Sequence, residues 1–264
     1  MTTTSPTPVL SMTGVSKRFG AVQALKDIEF SVDAGEVVAL VGDNGAGKST
    51  LVKTIAGVYP PDEGHVVFDG TPVAITSPAQ AQELGIATVF QDLALCDNLD
   101  VVSNLYLGNE VVRNQALDEV TMEKESWRLL RELSAKIPSV RIPVASLSGG
   151  QRQTVAIARS LLGRPKVVML DEPTAALGVA QTAEVLNLVE RLRENGLGVI
   201  LISHNMSDVM AVADRVVVLR LGRNNGIFRV SETTNQEIIA AITGATTNAV
   251  SARAARKASQ EEHA

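Results

Sequence analysis

Short apolar runs alternate with longer amphipathic stretches along most of the chain. The apolar runs predict buried strands at residues 37–41, 86–90, 167–170, 199–202 and 215–219. Between and after them the sequence predicts helices at residues 48–56, 150–162, 179–195, 207–213 and 235–243. Strands that alternate with helices favour an α/β fold with a mainly parallel sheet covered on both faces.

The region of about residues 92–146 differs from the rest of the chain. The apolar runs typical of strands become weak there, and helical stretches occur at residues 101–107 and 122–133. We therefore expect a small helical subdomain inserted into one domain that spans residues 9–244. The polar residues 1–8 and the alanine-rich, mixed-charge residues 245–264 are expected to be disordered tails.

Composition narrows the functional classes. The 264 residues are 45% apolar and carry a formal net charge of −5, so the chain lacks the overall basic character of a nucleic-acid or anionic-lipid binder. No apolar run approaches the roughly 20 residues that span a bilayer, and the first residues lack the positive start and apolar region expected of a secretory signal. The single cysteine, Cys96, allows no internal disulfide and fits a reducing compartment.

The first candidate site follows the strand predicted at residues 37–41 and satisfies the Walker A phosphate-loop pattern. Its residues are Gly42, Asp43, Asn44, Gly45, Ala46, Gly47, Lys48, Ser49 and Thr50. The glycines allow backbone N–H groups to turn towards phosphate oxygens, and the helix that follows adds the positive end of its dipole. Lys48 would face the β- and γ-phosphates, and the Ser49 hydroxyl would bind Mg²⁺. The pattern therefore predicts ATP and Mg²⁺ as ligands.

A second apolar strand, at residues 167–170, ends in two carboxylates. Asp171 and Glu172 at this position fit a Walker B strand. Asp171 would hold Mg²⁺ through water, and Glu172 would polarise the attacking water as a general base.

A second glycine-rich turn opens the helix predicted at residues 150–162. It consists of Leu147, Ser148, Gly149, Gly150 and Gln151. Together with the Walker motifs and a downstream Ser203-His204, it resembles the signature of the ATP-binding subunit of ABC transporters. The resemblance covers about residues 9–244. It implies a P-loop NTPase core, an N-terminal antiparallel β subdomain and an inserted helical subdomain.

The resemblance also implies roles for residues outside the Walker motifs. Gln91 matches the Q-loop glutamine, which binds Mg²⁺ and senses the γ-phosphate, and His204 matches the switch histidine, which orients Glu172 and water. Phe19 matches the aromatic residue that stacks on adenine, although a core phenylalanine is a serious alternative. Gly178 departs from the family, which usually has aspartate there in the loop that crosses between subunits. This departure puts equal, tightly coupled turnover at both sites in doubt.

In the family, two subunits close head to tail around ATP. A single Walker A loop surrounds one side of the triphosphate, and the helix start at Ser148, Gly149, Gly150 and Gln151 is a second anion-binding N-terminus. A second copy of this chain is therefore the expected partner, with the signature of one subunit facing the Walker A loop of the other. The resemblance further implies membrane permease subunits, an extracytoplasmic sugar-binding protein as an indirect partner, and a position at the cytoplasmic face of the membrane.

Residues 90–99 and 104–108 resemble the branch that imports simple sugars such as ribose, xylose and fructose. We therefore expect an ATP-hydrolysing subunit of a sugar importer. The alternatives are an amino-acid importer or exporter, a soluble ABC-type ATPase of DNA repair or translation, and a nucleotide sensor that does not hydrolyse ATP. The short stretch between Gln91 and Leu147 lacks the coiled coil of repair members, and Glu172 and His204 argue against a sensor.

Overall fold

The structure is a computed structural model and describes residues 7–245. The strands are β1 (Leu10–Phe19), β2 (Val22–Val32), β3 (Val37–Gly42), β4 (Glu63–Phe68), β5 (Thr71–Val73), β6 (Ile86–Val89), β7 (Val112–Arg113), β8 (Ala116–Leu117), β9 (Val167–Asp171), β10 (Gly198–Ile202), β11 (Arg215–Arg220) and β12 (Arg223–Arg229). The α-helices are α1 (Lys48–Ile55), α2 (Pro78–Leu84), α3 (Val101–Tyr106), α4 (Glu119–Glu132), α5 (Gly149–Leu161), α6 (Val179–Glu194), α7 (Met206–Val212) and α8 (Asn235–Thr243).

Six strands form the central sheet, in the order β12-β11-β3-β10-β9-β6. Neighbouring strands are parallel except β11 and β12, which form an antiparallel hairpin. Leu40 of β3 lies beside Ile202 of β10, and Ile202 lies beside Asp171 at the end of β9. Because parallel strands end at the same edge of a sheet, the segments that follow β3, β9 and β10 meet there.

Both faces of the central sheet are buried. Alternate residues of β3 belong to two different apolar clusters, Val37, Ala39 and Val41 to one and Val38 and Leu40 to the other. The first cluster includes residues of α3 to α8, and the second includes α1, α2 and the strands of a smaller sheet. Burial on both faces explains why these strands are continuous apolar runs in the sequence.

The smaller sheet is antiparallel and has the order β2-β1-β4-β5. The register of β1 against β2 shifts between Met12 and Val15, where Gly14 takes a left-handed conformation with φ of +63°. The expected fold class, an α/β P-loop core with a mainly parallel sheet and an N-terminal antiparallel β subdomain, is confirmed.

The inserted segment contains α3, the β7-β8 hairpin and α4, whose buried side chains join the first apolar cluster. The helix predicted at residues 122–133 begins earlier, at Glu119. Asp118 caps it by accepting hydrogen bonds from the Thr121 N–H at 3.0 Å and the Thr121 hydroxyl at 2.8 Å. This cap lies outside the apolar repeat, so the repeat alone placed the helix start too late.

Two elements do not follow from the hydrophobic pattern. Helix α2 has one buried residue, Ala81, and depends on Ser77 as its N-cap and Pro78 in its first turn. The β7-β8 hairpin turns through Asn114 and Gln115, both of which have positive φ. Polar local interactions rather than an apolar face define both elements, so periodicity does not predict them.

The two predicted tails fall mostly outside the structure, because residues 1–6 and 246–264 are not among the described residues. Within residues 7–245, the helices are too short or too polar for any of them to cross a lipid bilayer.

Candidate active site

The phosphate loop lies between β3 and α1 at the carboxyl edge of the central sheet. Gly42, Gly45 and Gly47 all have positive φ, which favours glycine. A Cβ atom at Gly42 would lie 2.3 Å from the Leu219 carbonyl oxygen, and one at Gly47 would lie 2.9 Å from that of Ala24. Gly47 begins α1 without a side-chain cap, so the first N–H groups of the helix remain available to an anion.

Lys48 folds back over this loop. Its Nζ donates hydrogen bonds to the carbonyl oxygens of Gly42, at 2.7 Å, and Asp43, at 3.1 Å. Burial lowers the pKa of Lys48, and the negative charges of Glu172, Asp43 and Asp171 oppose this effect. Two carbonyl groups of the loop thus hold the ammonium group, and the charges of two nearby carboxylates favour its protonated form.

Asp171 and Glu172 leave the central sheet at the same edge. Asp171 is half-buried, and burial together with the negative charge of Glu172 raises its pKa, against the opposing charges of Lys48 and Lys53. The backbone N–H of Glu172 donates to the Ile202 carbonyl at 2.9 Å, and the residue has a left-handed φ of 51°. This turn directs the chain away from the sheet directly after Asp171.

His204 contacts Glu172 directly. The distance from His204 Nδ1 to Glu172 Oε2 is 2.8 Å, and the side chains are 75% and 16% exposed respectively. Ser203 precedes the histidine and its hydroxyl accepts a hydrogen bond from the Asn205 N–H at 3.0 Å, which fixes the turn before α7. The structure therefore brings together the two residues that the sequence predicts to be catalytic.

Gln91 lies just beyond β6, at the outer strand of the same sheet edge. It is exposed, and in residues 7–245 it makes no hydrogen bond to the phosphate loop. The loop that follows it is held by Arg159 of α5, which donates to the carbonyl oxygens of Leu93, at 2.7 Å, and Ala94, at 2.8 Å. The buried Asn104 side chain fixes the next residues through hydrogen bonds with both backbone groups of Cys96.

The predicted signature turn lies at the start of α5, where Ser148 is exposed and Leu147 and Gly150 are buried. Ser148 caps the helix by accepting from the Gln151 N–H, and the Gln151 side chain accepts from the Ser148 N–H at 2.9 Å. The Gln151 Nε2 also donates to the Lys136 carbonyl at 2.7 Å. These hydrogen bonds hold the turn in place, and none of them involves the phosphate loop of the same chain.

A cleft of about 490 Å³ runs along the phosphate loop. Three segments line it, residues 22–24 of β2, residues 44–50, and residues 221–222 between β11 and β12. Among the described residues, none of the lining groups comes from α5. Residues 22–24 and 221–222 lie far from the loop in sequence, so the motifs do not predict them. Gly222, shortly after the strand predicted at residues 215–219, is a sequence signal that could have indicated this turn.

Phe19 lies at the end of β1, where it is 42% exposed and pairs with Val22 of β2. Its ring meets that of Tyr59 edge-on with centroids 5.0 Å apart, and Lys17 Nζ lies 5.8 Å from its centre. Phe19 is therefore not a core residue. It lies at the hairpin whose other strand lines the cleft, and its stacking on adenine stays a prediction.

The arrangement defines a phosphate-loop nucleotide hydrolase. The phosphate loop, a half-buried aspartate, and a glutamate contacted by a histidine all lie at the carboxyl edge of a parallel sheet. Residues 25–175 match the family model described as ABC transporter, and the chain belongs to that family. ATP hydrolysis is the activity of its ATP-binding subunits.

Relatives match almost the whole chain. It is 45% identical over 235 residues to the "Xylose/arabinose import ATP-binding protein XylG" of Sulfolobus acidocaldarius, which covers 89% of this chain and 94% of that protein. It is 43% identical to the "Fructose import ATP-binding protein FrcA" of Rhizobium meliloti, over 90% of this chain and 95% of the relative. The "Ribose import ATP-binding protein RbsA 1" of Rubrobacter xylanophilus is 43% identical over 82% of this chain, which spans 43% of that protein.

Solved structures have the same fold. A nucleotide-free ATP-binding cassette from an ABC transporter superposes with a TM-score of 0.77 at 27% identity, over 90% of this chain and 96% of that one. A dimeric post-hydrolysis state of another cassette, bound to ADP and Pi, gives a TM-score of 0.69 at 25% identity, over 84% of this chain and 98% of that one.

Proposed function

We propose that this chain hydrolyses ATP to energise the import of a simple sugar. The observation that carries the ATPase part is the sheet-edge cluster, in which Lys48, Asp171, Glu172 and His204 lie beside an open phosphate loop. The sugar class is supported by the relatives, whose names describe xylose/arabinose, fructose and ribose import.

Ser49, Gln91 and Asp171 are the residues that we assign to Mg²⁺. Magnesium in nucleotide sites is held by one or two carboxylates together with substrate phosphates and water. One half-buried carboxylate, one exposed hydroxyl at the start of α1 and one amide from a loop fit this preference. Bound Mg²⁺ would neutralise charge that develops on the phosphates.

Glu172 accepts the proton of the attacking water in this mechanism. Its carboxylate is mostly buried at the sheet edge, and the His204 contact at 2.8 Å restrains it. Lys48 exchanges the carbonyl oxygens of Gly42 and Asp43 for phosphate oxygens when the triphosphate binds. The N–H groups of Gly45, Gly47 and the first turn of α1 complete the phosphate cradle.

A second copy of the chain supplies the other side of the nucleotide in this proposal. Support comes from the exposed Ser148 of the signature turn, which does not line the cleft of its own chain, and from the dimeric cassette with ADP and Pi among the structural neighbours. Two chains in head-to-tail contact bring Ser148, Gly149, Gly150 and Gln151 of each copy to the phosphate loop of the other.

We further propose that membrane permease subunits bind the helical subdomain and hold the chain at the cytoplasmic face of the membrane. The net charge of −5 gives the chain no general attraction to anionic lipid, so a protein partner is the better anchor. An extracytoplasmic sugar-binding protein would act on the permease and not on this chain. Nucleic acid is not an expected partner.

Uptake assays test the sugar class. Cells that lack this chain should lose uptake of one labelled pentose or hexose, and wild-type protein should restore it. Glu172→Gln, produced at the same level, should not restore uptake because it removes the proton acceptor. Normal uptake of xylose, arabinose, fructose and ribose together with lost uptake of an amino acid would contradict the sugar class and favour an amino-acid importer.

A further inference from the structure

Asp208 is a buried carboxylate to which the proposed mechanism gives no role. It lies in the first turn of α7, shortly after His204 in the chain, and its exposed fraction is 6%. Its Oδ2 atom accepts a hydrogen bond of 2.7 Å from the hydroxyl of Thr174, which closely follows Glu172. A buried carboxylate is costly unless a partner compensates it, and a hydrogen bond to an ionised group is a strong one. This contact therefore constrains the two segments that it joins.

The same two segments are also joined at Glu172. Its backbone N–H donates to the Ile202 carbonyl, which fixes the main chain at the sheet edge. Its carboxylate contacts His204, but that histidine is mostly exposed, and a contact with an exposed partner restrains a side chain weakly. The hydrogen bond between Thr174 and Asp208 is thus the side-chain contact between these segments that ends on a buried group.

The backbone after β9 needs support of this kind. Glu172 and Ala176 have left-handed φ values of 51° and 59°, a region that residues other than glycine, asparagine and aspartate rarely adopt. Glu172 also precedes Pro173, and a residue before proline favours an extended backbone. Such conformations persist where the surrounding structure imposes them, and they are frequent at active sites. Thr174 lies between the two strained residues, so its hydrogen bond is well placed to hold this segment.

We propose that Thr174 and Asp208 are positioning residues for ATP hydrolysis, and that their hydrogen bond holds the Glu172 carboxylate where it can accept the proton of water. The inference rests on the proposed role of Glu172 as the general base. Such a base acts only within hydrogen-bond reach of the proton that it accepts, and small displacements are costly. Among the described residues that line the phosphate-loop cleft, neither Thr174 nor Asp208 occurs. Loss of their hydrogen bond should therefore lower kcat without weakening ATP binding.

Phosphate release by the full chain, together with ATP affinity from calorimetry, tests this role. Thr174→Val keeps the shape of the side chain but removes the hydroxyl, whereas Thr174→Ser keeps the hydroxyl. Thr174→Val should lower kcat about tenfold at unchanged ATP affinity, as expected for a displaced base, and Thr174→Ser should retain most of the wild-type kcat. Asp208→Asn leaves a neutral acceptor for the hydroxyl, so it should lower kcat by a smaller factor than Thr174→Val.

Thr121→Val is the matched control. The Thr121 hydroxyl also donates to an aspartate, Asp118, at 2.8 Å, but this pair caps α4 in the helical subdomain. The control should keep the wild-type kcat even where its melting temperature falls.

A wild-type kcat in folded Thr174→Val, weaker ATP binding as its only defect, or an equal loss in Thr174→Ser would overturn the inference. Should Thr174→Val fail to fold, a wild-type kcat in Asp208→Asn would overturn it. A wild-type kcat in Glu172→Gln would instead refute the general-base assignment, whatever the Thr174 variants show.

Discussion

Glu172→Gln is expected to stop hydrolysis while ATP still binds. Glutamine has nearly the same shape as glutamate, so the backbone hydrogen bond from residue 172 to Ile202 and the position of the side chain beside His204 can remain. What disappears is the carboxylate that accepts the proton of water. The negative charge next to Lys48 and Asp171 disappears as well, and this loss reduces repulsion of the triphosphate.

The size of the effect follows from the role of a general base. Loss of such a group lowers kcat by about 10²- to 10⁴-fold, which corresponds to roughly 3–5 kcal/mol of transition-state stabilisation. His204 is 75% exposed, and its Nδ1 lies 2.8 Å from the carboxylate of Glu172, whose side chain is only 16% exposed. This contact is the clearest way in which His204 can affect hydrolysis. If His204 acts through Glu172, the double variant Glu172→Gln with His204→Ala should be no slower than Glu172→Gln alone.

Steady-state release of phosphate gives kcat for the wild type, both single variants and the double variant. Equilibrium ATP binding and thermal unfolding, measured on the same preparations, control for loss of structure. A Glu172→Gln variant that hydrolyses ATP at the wild-type rate would refute the general-base role. Fully additive losses in the double variant would show that His204 contributes to hydrolysis independently of Glu172.

Three further predictions test the other parts of the site. Lys48→Ala should weaken ATP binding, because the triphosphate loses its lysine, and unchanged affinity in a folded variant would count against the loop assignment. Ser148→Arg should spare ATP binding to the single chain but prevent ATP-dependent dimerisation, and light scattering that still detects a dimer with ATP would reject the shared site. Because burial raises the pKa of Asp171, protonation should displace Mg²⁺ at a higher pH than at an ordinary aspartate. Mg²⁺ affinity in the presence of ATP should therefore increase as the pH rises through that pKa. The nucleotide-free protein should lose stability over the same interval, as the buried carboxyl ionises, and Asp171→Asn should abolish both trends.

The sequence predicts the central sheet and the phosphate loop well because their determinants are short and contiguous. Strands β3, β9 and β10 are buried on both faces and therefore appear as unbroken apolar runs. The positive φ values of Gly45 and Gly47 can be anticipated from the glycines themselves. Adjacency of Asp171 to the loop follows from the rule that parallel strands end at one edge.

The remainder of the site depends on contacts between distant segments. The β11-β12 turn reaches the loop only because Gly222 fits against Ala24 and donates to Ala46. The Arg159 hydrogen bonds to the loop after Gln91 likewise join α5 to a segment without regular structure. No repeat or fixed spacing in the sequence predicts either contact, since each joins segments that are far apart along the chain.

Gly178 illustrates how a departure from a family pattern can be judged once the structure is known. It is the N-cap of α6 and makes no side-chain cap, but glycine is only a few tenths of a kcal/mol worse than aspartate at that position. The start of α6 therefore does not need the missing carboxylate. The loop before it is held by other contacts, since the Thr174 hydroxyl donates to the buried Asp208 at 2.7 Å.

The same loop packs against the signature turn. A Cβ atom at Gly149 would lie 2.8 Å from Leu177 Cδ2, so the leucine touches the glycine backbone directly. The loop that contains Leu177 begins at Glu172, and in the proposed dimer the signature turn serves the nucleotide of the other copy. We therefore expect a displacement of the loop at one site to shift the turn that completes the second site. Contact through Leu177 can connect the two sites in the absence of an aspartate at position 178.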